Sequence, residues 1–497
     1  MKTSTFAIIA AMSASGAMAQ DIAQSGSDWF TAGQATIEAR LALQPNTNRA
    51  RNVILFNADG NGVNTNYAIR LFAGQKAGGL GDDHVLPYET FANSALVKTY
   101  TVNGQTPDSA PTASAMLTGV KSKNTMINVD GSVAVGDCAG LPGNELTTLS
   151  EIASGMGKSV GVISTARITH ATPAAAYAKT VHRDWEDNSR MPEGCDTQKD
   201  IAAQLVDAMT SGMVDLALGG GRQHFLPADV TDEEGKTGRR TDGRNLIEEI
   251  TAAGGQYVWN DEGFAALSGA GNAPILGLFE SSHMMYEQDR TGEPSLAEMT
   301  AAAIKTLSAN QEGYFLSIEA GRVDHASHGG NLHRVLTDGV AFAEAVQLAM
   351  DMTDDSDTLI IVTADHEHGI AFNGYCGRGS SITGLCMGIN DEGVEHTGTP
   401  ELAADGKPYT VAGYLNGAGS VLTAQADGSY FGTRPTVTNE QAIDPDYLQQ
   451  ALVPMSSETH SGSDVAVYAN GPFAHLIGGT IEQNVIFHVM RHAMTAQ

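Results

Sequence analysis

Short apolar runs rich in β-branched residues recur along this chain. Two of them, at 52–58 (Asn-Val-Ile-Leu-Phe-Asn-Ala) and 358–364 (Thr-Leu-Ile-Ile-Val-Thr-Ala), are each followed directly by an aspartate. Uninterrupted apolar runs of this length are typical of parallel strands that are buried on both faces. Three further runs of this kind, and the helical patterns that lie between them, occur at 159–164, 214–218 and 314–318, and at 145–156, 197–211 and 296–309.

Strands that alternate with helices predict an α/β fold. We expect a three-layer sandwich in which helices flank a large, mostly parallel central sheet. Ligands of such sheets collect beyond the carboxyl ends of the strands. Asp59, Glu319 and Asp365 each follow a predicted strand directly. Separate segments of the chain can therefore deliver carboxylates to one edge of the sheet.

Two stretches interrupt this alternation and look like insertions. Residues 228–260 are polar and charged, and residues 374–457 are rich in Gly, Ser, Thr and Asp. An excursion as long as the second must have structure of its own or be disordered. Because residues 409–411 and 421–422 suggest short strands, we expect a small inserted subdomain there. The pattern at 28–44 predicts a helix near the N-terminus.

The N-terminus has the three parts of a secretory signal. Lys2 is followed by an apolar run from Phe6 to Met12 and by Ala-Met-Ala at 17–19, the small-x-small pattern of a cleavage site. We expect residues 1–19 to be a signal peptide, with a short helix as the alternative. No later run is long enough to cross a bilayer, and the chain ends without the apolar tail of a lipid-anchor signal. These features predict a periplasmic or secreted protein without a membrane partner.

The expected export and the formal charge restrict the state of the cysteines and the class of binding partner. The four cysteines can form two disulfides in an oxidising compartment, with three conceivable pairings and free buried thiols as the alternative. The formal charge is −29 with only 28 Lys and Arg, which excludes a nucleic-acid binder because phosphate backbones need basic patches. This acidity either serves solubility alone or makes the protein salt-tolerant, since small cations screen self-repulsion. An anionic substrate would need metal cations to reverse the local potential.

One serine and a set of metal-binding side chains supply the candidate chemistry. Ser109 stands at a predicted helix start in Thr-Pro-Asp-Ser-Ala-Pro-Thr at 106–112. Three carboxylates and three histidines suit two Zn²⁺ ions, which bind imidazole nitrogen and carboxylate oxygen. A serine beside paired metal ions is typical of phosphoryl transfer, so these residues together predict a metal-dependent phosphatase. The six ligands are Asp59, Asp324, His328, Asp365, His366 and His460.

Each of these residues alone also has an ordinary structural explanation. Ser109 could be a helix N-cap, His460 a surface histidine, and the pair at 365–366 a structural hydrogen bond. Asp324 and His328 are four residues apart, so one helical turn places both on the same face. The hypothesis therefore depends on the set as a whole.

The chain resembles the alkaline phosphatases from about Asn52 to near its C-terminus. Residues 379–385 and 407–411 resemble the animal branch of that family. The resemblance implies one catalytic domain over residues 20–497, in which the insertion at about 374–457 forms the crown of a homodimer and the N-terminal helix helps to hold the two subunits together. The matching blocks follow one another in the same order and spacing: Asp59-Gly60, Pro107 to Ala110, Ala166-Arg167 to Asp184-Trp185, Leu218 to Arg222, Glu319 to His328, Thr363 to His366 and Glu458 to His460.

The resemblance gives roles to four residues around the substrate. Ser109 would be the nucleophile, and Arg183 would bind two phosphate oxygens at once through its guanidinium. His170 and His325 match histidines of the animal enzymes, where the best-known bacterial enzymes have aspartate and lysine. These two histidines would tune the Mg²⁺ site and the phosphate and favour a strongly alkaline optimum.

The same resemblance implies two Zn²⁺ ions, one Mg²⁺ and a Ca²⁺. The magnesium set consists of oxygen ligands only, as that ion prefers, and it shares a carboxylate with the second zinc set. It also implies the disulfides Cys138–Cys195 and Cys376–Cys386. The ligands are Asp324, His328 and His460 for the first Zn²⁺; Asp59, Asp365 and His366 for the second Zn²⁺; Asp59, Thr172 and Glu319 for Mg²⁺; and Phe279, Glu280 and Glu293 for Ca²⁺.

The implied activity is hydrolysis of phosphate monoesters at alkaline pH through a phosphoserine intermediate. A sulfatase of the same superfamily would need a Cys/Ser-x-Pro-x-Arg motif, whereas Thr112 and Ala113 follow the proline here. A phosphodiesterase of that superfamily usually has threonine as nucleophile and no equivalent of Arg183. A non-enzymatic secreted metal-binding protein would scatter its carboxylates over the surface, whereas several here follow apolar strands.

Overall fold

The computed structural model describes residues 22–267 and 273–496, so the expected signal peptide at 1–19 lies outside the described residues. The chain divides into two compact units, one that ends at Gln44 and one that begins at Pro45. The first unit contains the expected N-terminal helix, none of whose residues is buried. Within the described ranges, no helix combines the length and the apolar character needed to pass through a membrane.

Helices make up the outer layers of the second unit. Six short 3₁₀ helices, among them Asn188–Arg190 and Arg222–His224, lie in the connections of its described residues. In the described residues the first unit contains α1 (Asp28–Ala42), and the α-helices of the second unit are α2 (Val63–Lys76), α3 (Ser109–Thr118), α4 (Leu149–Gly155), α5 (Ala171–Ala174), α6 (Ile201–Thr210), α7 (Leu246–Ala252), α8 (Asp261–Ala265), α9 (Leu296–Leu307), α10 (Arg322–His328), α11 (Leu332–Met352), α12 (Asn439–Ala442) and α13 (Val485–Thr495).

Over residues 22–267 and 273–496, the strands form one large sheet and four two-stranded ones. They are β1 (Asn52–Ala58), β2 (Asn93–Lys98), β3 (Ser159–Arg167), β4 (Leu216–Gly220), β5 (Gln256–Val258), β6 (Ile275–Leu278), β7 (Tyr314–Ala320), β8 (Thr358–Thr363), β9 (Glu367–His368), β10 (Ile370–Phe372), β11 (Ala412–Tyr414), β12 (Asn416–Gly417), β13 (Thr423–Ala424), β14 (Tyr430–Phe431), β15 (Val453–Pro454), β16 (His460–Ser461), β17 (Val465–Asn470) and β18 (Gly479–Glu482).

The large sheet has ten strands in the order β18-β2-β17-β8-β1-β7-β3-β4-β6-β5. Only β17 runs antiparallel to its neighbours, β2 and β8. Alternate residues of β1 belong to two separate apolar clusters, Val53 and Leu55 on one face and Ile54 and Phe56 on the other. Both faces of the sheet are therefore covered, and the predicted three-layer α/β sandwich with a mostly parallel sheet is confirmed.

The predicted strands agree with the structure more closely than the predicted helices do. The run at 52–58 is β1 without change, whereas the helix expected at 145–156 begins only at Leu149. Thr148 ends the preceding extended segment because it forms a capping box with Glu151. Its hydroxyl accepts from the Glu151 amide at 3.1 Å, and the Glu151 carboxylate accepts from the Thr148 amide at 2.8 Å. These reciprocal hydrogen bonds therefore set the residue at which the helix begins, and the spacing of apolar residues does not reveal that residue.

The expected insertion at 228–260 is wrong for its second half. That half contains α7 and β5, and β5 is the edge strand of the large sheet. A strand of three residues is too short to show an apolar period, so the sequence does not reveal it. The first half is a loop that buried Arg240 anchors, because its guanidinium donates twice to Asp200, at 2.9 Å to each carboxylate oxygen.

The segment at 374–457 contains the small strands that the sequence suggested, shifted by two or three residues. The expected strands at 409–411 and 421–422 lie at β11 and β13, in two-stranded sheets apart from the large one. The boundaries of a separate crown subdomain stay a prediction. The two disulfides of the structure join Cys138 to Cys195 and Cys376 to Cys386, the pairs that the resemblance implied.

Asp338 on α11 is a buried carboxyl group that links stability to pH. Its Oδ2 accepts a hydrogen bond from the Glu287 amide at 3.1 Å, and burial raises the pKa of Asp338 to about 8. An aspartate in an unfolded chain has a pKa of about 3.9. Between these two pKa values, the folded state holds a proton on Asp338 that the unfolded state has lost. The stabilisation that results is complete below the unfolded pKa and is lost as the pH rises through about 8.

We expect Asp338→Asn to make the unfolding temperature less sensitive to alkaline pH. The amide keeps an acceptor oxygen for Glu287 but cannot ionise. Thermal unfolding measured from about pH 6 to about pH 9.5 should show a smaller decline for the variant than for the unmodified protein. Asp207→Asn, at an aspartate exposed on α6, is the control and should keep the original slope. Equal slopes for Asp338→Asn and the unmodified protein would contradict the assignment.

Candidate active site

The carboxyl ends of three adjacent strands bring the first acidic residues together. In the register of β1 with its two neighbours, Asn57 lies opposite Glu319 on β7 and Thr363 on β8. Asp59 and Asp365 each follow two residues later in their segments, and both are completely buried. The sheet therefore places three carboxyl groups at one edge, as the apolar runs predicted.

A glycine permits the tight turn after Asp59. Gly60 has φ +70°, and a Cβ at this position would lie 2.4 Å from Nε2 of His368. Another residue would be strained in this conformation and would displace the imidazole. The Asp-Gly pair therefore lets the chain turn directly beneath a histidine ring.

The first ligand set, Asp324, His328 and His460, converges closely. Nε2 of His328 and of His460 lie 3.3 Å and 3.2 Å from Oδ1 of Asp324, and 3.0 Å from each other. Asp324 and His328 share one face of α10. His460 arrives from the far end of the 374–457 segment because β16 pairs with β9, with His460 opposite His368.

Backbone carbonyls fix the orientation of the two histidines. Nδ1 of His328 lies 2.6 Å from the Glu458 carbonyl, and Nδ1 of His460 lies 2.8 Å from the Pro107 carbonyl. A carbonyl only accepts, so both Nδ1 atoms carry a proton, and Nε2 of each ring is the atom that can bind a metal through its lone pair. Two lone pairs that face each other and a carboxylate at about 3 Å need a cation between them, and Zn²⁺ fits this donor set.

The second ligand set, Asp59, Asp365 and His366, adjoins the first. Nε2 of His366 lies 3.2 Å from Oδ1 of Asp59 and 3.4 Å from Oδ2 of Asp365. The His366 ring stacks on that of His460 with centroids 3.6 Å apart. Ser109 joins the set, with its Oγ 3.2 Å from Nε2 of His366. The serine and two metal-binding groups thus meet in one place.

The third ligand set, Asp59, Thr172 and Glu319, contains buried oxygens that lack partners. No described residue forms a hydrogen bond with either carboxylate oxygen of Asp59, with Oγ1 of Thr172 or with Oε1 of Glu319. The other oxygen of Glu319 accepts from the hydroxyl of Ser164, which lies opposite it on β3. Unpaired buried oxygens are costly, and an all-oxygen set suits Mg²⁺.

The titration of these carboxyl groups shows how much negative charge is confined here. Burial and then the neighbouring carboxylates of Asp365, Asp324 and Glu319 raise the pKa of Asp59 well above its ordinary value. Burial raises the pKa of Glu319 to about 7 and also raises that of Asp365. Cations would reverse these shifts because they favour the charged carboxylates. The residues present therefore fit a site for several metal ions.

Ser109 is the first residue of α3, and the cap of this helix is its neighbour. Asp108 accepts from the Ala110 amide at 2.8 Å and is the N-cap. The ordinary capping role is therefore taken, and the Ser109 hydroxyl faces His366 instead. Amides and the positive end of the helix dipole lie beside it, which favours an anionic group at this point.

Arg183 lies in the same place and is held from two sides. Nη1 donates to Oδ1 of Asp108 at 3.3 Å, and Nη2 lies 3.0 Å from Nε2 of His170. Arg183 is partly exposed, so its guanidinium borders both the protein interior and the solvent. Asp108 therefore organises the serine helix and the arginine together.

The histidines expected near the third set, His170 and His325, belong to a cluster with a third member that the sequence analysis missed. The ring of His283 lies 4.0 Å from that of His325 and 5.3 Å from that of His170, measured between centroids. Burial and then Arg183 lower the pKa of His170, and burial lowers that of His325 to about 3. These rings are therefore neutral. No motif pointed to His283, which stands alone in its segment.

His368 and Glu458 were also missed. Nε2 of His368 lies 2.9 Å from Oδ1 of Asp324, and Nδ1 lies 2.5 Å from Oε2 of Glu458. Burial alone would lower the pKa of His368, but these two hydrogen bonds outweigh it and raise the pKa to about 10. Glu458 also accepts from the Gly369 amide at 2.6 Å. The repeated histidine in Asp-His-Glu-His at 365–368 was the available signal.

Of the residues suggested for Ca²⁺, Phe279, Glu280 and Glu293, the two glutamates lie close enough for the charge of Glu280 to raise the pKa of Glu293. The potential metal clusters of the described residues contain neither glutamate. Oε1 of Glu293 accepts from the Met285 amide at 2.8 Å, and burial raises the pKa of Glu293 to about 8. Burial and then Glu234 raise the pKa of Glu280, so Glu234 is an acidic neighbour the sequence did not indicate. The Ca²⁺ site stays a prediction.

Comparisons with known proteins agree with this geometry. The family model described as alkaline phosphatase matches residues 50–496. An alkaline phosphatase from Gadus morhua is 41% identical over 94% of this chain and 96% of its own length. The tissue-nonspecific isozyme of alkaline phosphatase from Gallus gallus is 40% identical over 94% of this chain and 88% of its own length.

Two solved structures share the fold at lower identity. The alkaline phosphatase of Thermus thermophilus has a TM-score of 0.64 at 24% identity and covers 91% of this chain and 93% of its own. That of the Antarctic bacterium TAB5 has a TM-score of 0.60 at 21% identity and covers 90% of this chain and 98% of its own. These two structures show the fold alone, whereas the family model and the animal relatives show that this chain belongs to the alkaline phosphatase family.

Proposed function

We propose that this protein hydrolyses phosphate monoesters at alkaline pH through a phosphoserine intermediate, with two Zn²⁺ and one Mg²⁺ bound. The observation that carries the proposal is the position of Ser109. Its hydroxyl is free of the capping role and lies 3.2 Å from His366, beside two groups of metal-binding atoms. A nucleophile, a ligand set and a phosphate-binding arginine in one place satisfy the geometric requirements of phosphoryl transfer.

The three ligand sets would hold these ions in the roles that the resemblance implied. Asp324, His328 and His460 would hold one Zn²⁺, the second ligand set the other, and the third set Mg²⁺. When bound, the ions would supply positive charge against the attacking and leaving oxygens. That positive charge would also attract an anionic substrate to a protein whose formal charge is −29.

The residues of this chain then position and stabilise the reacting groups. Oγ of Ser109 attacks phosphorus, the ester bond breaks, and the alcohol leaves with a proton. Water then cleaves the phosphoserine, so that inorganic phosphate departs and the hydroxyl is restored. Arg183 binds two non-bridging oxygens throughout, and Asp108 holds the guanidinium in place. The amides at the start of α3 face the same phosphoryl group.

His170 and His325 have a tuning role in this proposal. Both rings are partly buried near Arg183 and the third ligand set, and an ordinary histidine is neutral at alkaline pH. Neutral rings attract phosphate less than a lysine would, so the product leaves more readily. Release of product often limits turnover in efficient enzymes, which makes this difference relevant to an alkaline optimum.

Dimerisation, export and salt tolerance stay predictions. Exposed apolar side chains in the 374–457 segment, Leu415, Phe431 and Leu452, fit a partner surface, because exposed apolar groups often mark interaction sites. We propose a secreted or periplasmic homodimer on this basis and on the signal-like N-terminus.

We expect activity to depend on both kinds of metal. Turnover of p-nitrophenyl phosphate at alkaline pH should be lost after chelation. Zn²⁺ should restore most of it, and Mg²⁺ should raise it further only when Zn²⁺ is present, because the third ligand set supports the other two. Metal analysis should find about two zinc ions per subunit, since these sets have the nitrogen and carboxylate ligands of zinc. Activity that survives complete chelation would contradict the proposal.

Ser109→Ala should bind phosphate but lose nearly all turnover. Acid quenching after exposure to labelled phosphate should trap the label on the unmodified protein and not on the variant. Ser114→Ala, at a serine of the same helix, is the control and should still be labelled. A small residual rate is expected, since removing one catalytic member rarely abolishes all catalysis. Equal labelling of both proteins would assign the nucleophile to another residue.

Glu458→Gln should weaken zinc binding rather than remove a ligand. Its carboxylate orients His368, which orients Asp324, and such outer partners typically contribute about tenfold or more to metal affinity. Zinc retention in competition with a chelator should fall, while excess Zn²⁺ should restore activity. Glu440→Gln, at an exposed glutamate of α12, should retain zinc like the unmodified protein. Unchanged retention in Glu458→Gln would show that Asp324 is positioned without it.

A further inference from the structure

A polar cavity lined by arginines lies at the same sheet edge as the three ligand sets. Its volume is about 420 Å³, and Arg167, Arg190 and Arg239 contribute to its wall. Three guanidinium groups around one cavity are notable in a chain with only 28 Lys and Arg and a formal charge of −29. None of these three has a role in the proposed chemistry at Ser109.

The strand order places this cavity beside the ligand sets. Arg167 ends β3, which adjoins β7 with its ligand Glu319. Gln223, also on the cavity wall, follows β4, the next strand outward. Adjacent strands are about 4.8 Å apart. Two strand spacings therefore separate β7 from β4, about 10 Å along the edge.

Two of the three arginines are free to bind an anion. Arg167 is already engaged, since it donates to both oxygens of Glu186 at 2.8 Å. Arg190 and Arg239 are exposed, and their side chains form no hydrogen bond or ion pair with any residue in the described ranges. Their backbones are anchored, because the Arg190 amide donates to Asp187 and the Arg239 amide to Gln223.

The acidic groups of the cavity do not cancel these charges. Both oxygens of Glu186 are occupied by Arg167, and one also accepts from Thr169 at 2.6 Å. Asp184 is exposed and is the remaining carboxylate on the wall. Two free guanidinium groups therefore face one free carboxylate, and the cavity retains a positive balance on an acidic surface.

The cavity also adjoins the phosphate-binding arginine. Asp184 follows Arg183 directly in the chain. On the other side, the guanidinium of Arg167 contacts His283, whose ring packs against His170 and His325. A substrate with its phosphate between Ser109 and Arg183 could thus extend along the sheet edge into the cavity.

We propose that this cavity binds a second phosphate group on the leaving group of the substrate. Arg190 and Arg239 are the binding residues, since guanidinium groups bind phosphate oxygens in pairs. The inference rests on the proposed monoester hydrolysis and adds a preference for bisphosphorylated substrates. It requires no further chemical step, because the second phosphate is bound and not cleaved.

A matched pair of substrates tests the preference. Hexyl phosphate and 1,6-hexanediol bisphosphate differ only in the second phosphate, which lies at the far end of the extended chain. The unmodified protein should have a lower KM for the bisphosphate, by about tenfold for two charge-assisted contacts. In the Arg190→Gln, Arg239→Gln double variant this advantage should vanish, while the KM for hexyl phosphate changes far less. Arg491→Gln, at an exposed arginine of α13, is the control for the loss of a positive charge away from the cavity.

Two outcomes would overturn the proposal. An unchanged KM for the bisphosphate in the double variant would show that the arginines do not bind it. An equal rise in KM for both substrates would show that they act only through the general electrostatic field.

Equilibrium binding separates this proposal from the proposed function. In the metal-loaded Ser109→Ala protein, calorimetry should show tighter binding of the bisphosphate than of inorganic phosphate. The double arginine variant should lose only that difference. This readout needs no turnover, so it decides about the cavity even if hydrolysis is not observed. Absence of hydrolysis for both substrates would instead count against the proposed function.

Discussion

The confinement of negative charge at one edge of the sheet is the constraint on which the site depends. Asp59, Glu319 and Asp365 are buried side by side at the ends of parallel strands, and Asp324 joins them from α10. Burying one carboxylate without a partner is expensive, and burying several together is more so. The raised pKa of Asp59 expresses this strain. Metal cations would relieve it, and the same cations would attract an anionic substrate to an otherwise acidic protein.

Contacts outside the ligand sets turn this charge cluster into a defined geometry. The carbonyls of Glu458 and Pro107 orient two imidazoles so that their lone pairs point inward. His368 connects Asp324 to Glu458 across the same region. These hydrogen bonds join segments separated by up to several hundred residues, so the ligand atoms can converge only after the whole sheet has assembled. After the 374–457 segment, the pairing of β16 with β9 brings the chain back to the ligand sets.

The charge changes sign along the same edge of the sheet. Carboxylates dominate at the ends of β8, β1 and β7, whereas arginines dominate beyond β3 and β4. Asp108 and Arg183 lie at the transition, where a carboxylate caps the serine helix and holds the guanidinium. In the proposed function, an anionic substrate would meet positive charge on both sides of Ser109, from metals at the ligand sets on one side and from the arginine cavity on the other.

The amino-acid sequence alone determined the fold class and most of the candidate ligands. A strand that is buried on both faces is continuously apolar, so the apolar run gave both ends of β1. A carboxylate directly after such a strand lies at the edge of the sheet. The tertiary structure decided what has no local pattern. A cap hydrogen bond moved the start of α4, and β5 was too short to show a period. His283, His368 and Glu458 were recognisable only in space, because orientation of an imidazole depends on partners from distant segments. Periodicity reports which face of an element is buried, whereas convergence of ligand atoms depends on how the elements pack.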